Sequence, residues 1–88
     1  SFARVGIWLE NQVLLAGLKS AILNEFPNME IIGQEDNFVA PNIVFIDDVE
    51  FMTKLQGVDQ TIIFVRPTDK VAILMEKLRI TASRILKS

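Results

Sequence analysis

The stretch Asn42-Ile43-Val44-Phe45-Ile46-Asp47-Asp48 constrains this chain more than any other, because an apolar run stops there abruptly on two carboxylates. Consecutive β-branched and aromatic residues bounded by Pro41 and an acidic pair read as a strand buried on both faces. That is the signature of a parallel sheet covered by helices. Ligands and reactive groups in such sheets collect beyond the carboxyl ends of the strands, where Asp47 and Asp48 fall. A structural role is also open for Asp48, as the cap of the helix that follows.

The flanking segments supply the rest of the sheet. Arg4 to Leu9 is apolar at almost every position and reads as a central first strand. After Glu10-Asn11, the residues Leu14, Leu18, Ile22 and Phe26 recur every four positions and predict a helix from Gln12 to Phe26, with Asn11 as N-cap. Pro27-Asn28 stops it, and Met29 to Gly33 forms a second strand, completing a right-handed βαβ unit. A parallel crossover ordinarily needs a dozen or more residues, yet only about eight separate the second and third strands. The crossover helix is therefore missing, and Phe38 and Val39 are expected to lie across the sheet in its place.

Val49 to Leu55 predicts two helical turns, and Thr61 to Val65 a fourth strand closed by Arg66-Pro67. Thr68 is expected to cap a final helix through Leu86, with Val71, Leu74, Leu78, Ala82 and Ile85 on its inner stripe. No fifth strand remains. The expected fold is α/β, a short flavodoxin-like three-layer sandwich with a parallel sheet of about four strands in the order 2-1-3-4. Both long helices share one face, leaving the other to the short helix and the Phe38 loop. Uncovered apolar area usually marks an interface, so Phe38, Val39, Phe51 and the edge of the fourth strand are the expected partner-binding positions. Phe51 and Met52 lie about 100° apart around the short helix, and one of them should reach its rim.

Composition narrows the chemistry. The chain has no Cys and no His, which excludes the usual zinc, haem, thiol and serine-triad sites. Half of the residues are hydrophobic and the net charge is −2, as in one folded domain spanning residues 1–88. No apolar run is long enough to span a bilayer, so no membrane contact and a cytoplasmic setting are expected. Residues 1 to 60 hold nine acids against three bases, and residues 61 to 88 hold two against six. Such asymmetry can mark an interaction surface, or Arg79, Arg84 and Lys87 can simply complement the negative end of the last helix. An acidic pI argues against nucleic-acid binding, and no Gly-rich phosphate loop follows the first strand.

Read together, Ala3 to Glu10, Leu15-Ala16-Gly17-Leu18, Phe26 to Gly33 and Pro41 to Asp47 resemble the receiver domain of bacterial response regulators. The likeness is closest to the branch whose receivers precede LuxR-type DNA-binding domains, and it covers the first half of the chain best. It implies that Asp47 stands where the family's phosphorylated aspartate ends the third strand. Two acids after the first strand hold Mg²⁺ in that family, but here the positions are Leu9 and Glu10. Arg66-Pro67 looks like the family's Lys-Pro step, and its phosphate-binding hydroxyl has no counterpart. Replacing a metal-binding carboxylate by Leu removes an oxygen ligand from a hard cation, so the resemblance points to a shortened, degenerate receiver.

The bare ends are expected of a domain excised from a longer signalling protein. The leading expectation is a non-catalytic interaction module in two-component or phosphorelay signalling, without cofactor or metal. Its pocket of Asp47, Asp48, Glu10 and Arg66 is then vestigial. Expected partners are a response regulator, a kinase domain, a neighbouring domain or a second copy in a homodimer. Similar shortened receivers occur in phosphorelay hybrid kinases and at the front of some pilus-localisation ATPases. One alternative is a working phosphoacceptor using Asp47, with Mg²⁺ held by Glu10 and Asp48. A weaker one is an unrelated small α/β enzyme or nucleotide-binding domain. With the three acids converging and no metal between them, mutual repulsion would govern the pocket.

Overall fold

Alternation of side chains along a strand lets one apolar run feed two cores at once. The computed structural model, which describes residues 4–33, 41–54 and 60–87, is organised by that division. The elements follow in the order β1 (Arg4–Trp8), α1 (Gln12–Glu25), β2 (Glu30–Ile32), β3 (Ile43–Ile46), a 3-10 helix (Val49–Lys54), β4 (Thr61–Phe64) and α2 (Val71–Lys87). The four strands form one parallel sheet in the order β2-β1-β3-β4, with Val5 opposite Ile43 and Ile43 opposite Thr61. Among the described residues there is no helix between β2 and β3 and no fifth strand. Phe38 and Val39 lie outside the described residues.

One face of the sheet presents Val5, Ile7, Ile43, Phe45 and Ile63 to both long helices. Leu18 and Ile22 of α1 and Leu74, Leu78 and Ala82 of α2 close this core. Each such burial contributes about 1.5–3 kcal/mol. The inner stripes match the expected ones, with Leu14 and Phe26 of α1 and Val71 and Ile85 of α2 partly buried at their ends. Asn11 caps α1, accepting from the Leu14 N–H at 3.1 Å, and at the other end the Phe26 N–H donates to Ile22 at 2.7 Å. Pro27, which cannot continue the ladder, follows directly.

The start of α2 differs from expectation. Asp69 turns its carboxylate back to the Arg66 N–H at 2.9 Å while its own N–H donates to the Arg66 carbonyl at 3.0 Å. That closes a β-turn over Pro67 and Thr68, so Thr68 is spent on the turn. The helix begins at Val71, with the Lys70 carbonyl accepting from Ile73 and Leu74. Arg79 also departs from its expected place at a helix end. It grips Glu25 of α1 through two bonds of 2.6 and 2.7 Å, tying the helices together.

The second face carries Trp8, Val44, Ile46 and Phe51, with Ile62 at its margin. A side chain at Gly6 would collide with this layer, since its Cβ would lie 3.0 Å from Val44 Cγ2 and 3.2 Å from Trp8 Nε1. The absent side chain is what lets the indole lie back along the strand. Phe51 leans on that ring, with centroids 6.5 Å apart and planes at 57°. Phe51 is buried and Met52 reaches the rim at 44 % exposure. The position expected to meet a partner at Phe51 is thus an internal prop for Trp8. No helix among the described residues is long and apolar enough to cross a membrane.

Two outcomes are expected. Gly6→Ala should cost about 1–3 kcal/mol through overpacking and shift the emission of Trp8 in denaturant melts; wild-type stability would show that the indole moves aside freely. The Arg79 hydrogen bond holds the Glu25 carboxyl below its ordinary value. Glu25 therefore favours folding above that ordinary value, and the contribution fades as pH falls through the lowered one. Because the pair is exposed, the effect should be small and disappear in high salt. Thermal melts of Glu25→Gln against the parent chain across the acid range test this.

Candidate functional site

The carboxyl end of the sheet assembles the acids around backbone amides. β3 ends at Ile46, whose carbonyl accepts the Val65 N–H at 2.8 Å, and the chain then turns with Asp47 beside the loop joining β1 to α1. Asp47 Oδ2 accepts from the Glu10 N–H at 2.9 Å and from the Asn11 N–H at 3.4 Å. Both donors lie at the entrance to α1, where the helix dipole favours an anion. The second oxygen, Oδ1, is buried and has no hydrogen-bond partner. Asp47 therefore acts as a latch that sets where β1 hands over to α1.

The neighbouring acids are engaged separately. Asp48 Oδ1 accepts from the Glu50 N–H at 2.9 Å, and its carbonyl accepts from the Phe51 N–H at 3.1 Å, capping the 3-10 helix. The capping role left open for Asp48 is the one the structure displays. Glu10 is exposed, and only its backbone meets Asp47. Among the described residues, no three carboxylates are gathered closely enough to hold a metal ion. The expected convergence of Glu10, Asp47 and Asp48 thus resolves into three separate environments.

The positions that the receiver likeness assigns to Mg²⁺ do not fit the ion. Leu9 is wholly buried within the helix-side core, so its side chain offers no oxygen ligand. A hard divalent cation needs a near-octahedral set of oxygens. The best-placed oxygen of Asp47 is already committed to two amides. Arg66 is exposed and forms no ion pair with Asp47 among the described residues. Its backbone is held by Asp69, and its side chain lines a different surface.

That surface is a groove of about 360 Å³ running between β4 and α2. Ile62, Phe64 and Arg66 border it on the strand side, and Lys77, Ile80 and Thr81 on the helix side. The fourth-strand edge was legible as a candidate, whereas the α2 residues were not. Their signal is an excess of apolar residues on α2, since Ile73 and Ile80 lie off the inner stripe and are about half exposed. Trp8 lies in the core, although its indole Nε1 is buried without a partner.

No family model matches the chain, and no curated protein or solved structure matches it either. The likeness to receivers rests on the residues quoted above.

Asp47→Ala should destabilise the fold by about 1–3 kcal/mol, because it removes the acceptor for two loop amides. At this chain length that corresponds to roughly 4–8 °C in Tm per kcal/mol. Glu10→Ala, at an exposed side chain, should stay within about 0.5 kcal/mol. Equal effects in paired thermal melts would disprove the latch.

Proposed function

We propose that this domain is a non-catalytic, receiver-like interaction module of bacterial two-component or phosphorelay signalling. It docks a protein partner such as a response regulator, a kinase domain or a neighbouring domain. The observation that carries this reading is the state of Asp47, the residue matching the family's phosphoacceptor. One oxygen is committed to the Glu10 and Asn11 amides and the other is buried. Phosphoryl transfer requires a carboxylate oxygen in line with the incoming phosphorus and countercharge on the transferred group. Neither is supplied by Leu9 or by an Arg66 that faces the β4 groove. The same carboxylate serves instead to hold the β1–α1 loop in place.

The competing reading, a phosphoacceptor using Asp47 with Mg²⁺ at Glu10 and Asp48, draws on one feature only. Asp47 lies beyond the carboxyl end of a central parallel strand, where such chemistry is sited.

Incubation with acetyl phosphate and Mg²⁺ followed by intact-mass measurement is expected to show no adduct. A phosphoryl adduct that vanishes in Asp47→Asn would overturn the proposal and install the phosphoacceptor in its place.

A further inference from the structure

The interaction-module reading leaves its contact surface unassigned, and hydrogen-bond accounting along β4 supplies one. The Thr61 N–H donates to Asn42 at 2.9 Å and the Val65 N–H to Ile46 at 2.8 Å. Donors alternate along a parallel ladder, so Ile62 and Phe64 turn their N–H and C=O groups away from β3. Among the described residues, no strand lies beyond β4 in the sheet. The next outward group, the Arg66 N–H, is already taken by Asp69 Oδ2 at 2.9 Å, which ends the open ladder there.

The surroundings of this edge have a definite chemistry. Phe64 is 43 % exposed and Ile80 51 %. Arg66 and Lys77 border the same groove, and its lining has no acid among the described residues. Among the described residues Arg4 is paired with Glu30 and Arg79 with Glu25, while Arg66 and Lys77 are in no ion pair. Edge strands left this way are templates for another strand.

We infer that β4 receives a further strand from a partner, in the form of an extended peptide segment alternating apolar and acidic side chains. Its backbone completes the ladder at Ile62 and Phe64, its apolar residues lie over Phe64 on the Trp8 face, and its carboxylates point to the opposite face, where Lys77 of α2 meets them. This assignment rests on the interaction-module reading and names the surface and the class of partner. A second copy of the chain would also satisfy the ladder. It would, however, bring two sets of Arg66 and Lys77 onto one edge with no acid among the described lining residues to separate them, which disfavours self-pairing. A contact of this size is a transient one.

The test uses the isotope-labelled chain and a blocked peptide of about six residues alternating valine and glutamate, matched to a typical strand. The amides of Ile62 and Phe64 should shift and gain protection from hydrogen exchange, while those of Thr61 and Val65 keep the protection they already have. Lys77→Glu should weaken binding about tenfold without changing Tm, and a valine–lysine peptide should not bind. Perturbation away from β4, equal binding of the lysine peptide or no binding at all would refute the assignment. Protection of the same two amides by chain concentration alone would replace the peptide with a second copy and refute it too. Acetyl-phosphate labelling run on the same sample separates the two claims: an adduct on Asp47 removes the non-catalytic reading, whereas a silent peptide titration without adduct removes only the β4 assignment.

Discussion

Two-sided burial of β1 and β3 is the constraint on which everything else in this domain depends. Every residue of β3 is buried, as are four of the five in β1, so neither strand can face water on either side. The two faces are covered by different means. Long helices cover one, with Leu18, Ile22, Leu74 and Leu78 filling the layer. Aromatic rings and a short 3-10 helix cover the other, which works only because Gly6 leaves room for Trp8 to lie along the sheet. Among the described residues, an indole and its Phe51 prop do on this face what two long helices do on the other.

The same economy shapes the acidic end. A carboxylate at the end of a central strand is available for chemistry when its oxygens face solvent or a cation. Here the nearest donors are the amides that open α1, and they claim it. What separates a reactive aspartate from a structural one is thus the path of the β1–α1 loop. Leu9, wholly buried in the helix-side core, anchors the start of that loop.

Strand order, helix faces and the Asn11 cap were legible because each follows from periodicity or from one residue's local chemistry. The misses share a different cause. Thr68 and Asp69 both offer oxygens near the start of α2, and the choice between them depends on the Arg66–Asp69 turn. Phe51 and Met52 are equivalent by spacing, and only the position of Trp8 selects Phe51 for the interior. Arg79 looked like a complement to its own helix end, yet the packing of α1 beside α2 set Glu25 opposite it. The amides that hold Asp47 carry no side-chain signature, since any residue but proline at 10 or 11 would donate the same N–H.

The all-parallel pairing has a kinetic consequence. No two strands of this sheet are joined by a hairpin, so none can zip from a turn. The pair closest in sequence is β3 with β4, whereas the central pair β1 with β3 joins residues about twice as far apart along the chain. Loop closure must therefore precede any reward from the central ladder, and the domain should fold more slowly than a helical bundle of its length. During that interval β3, the most apolar strand, has an edge open to whatever strand arrives first.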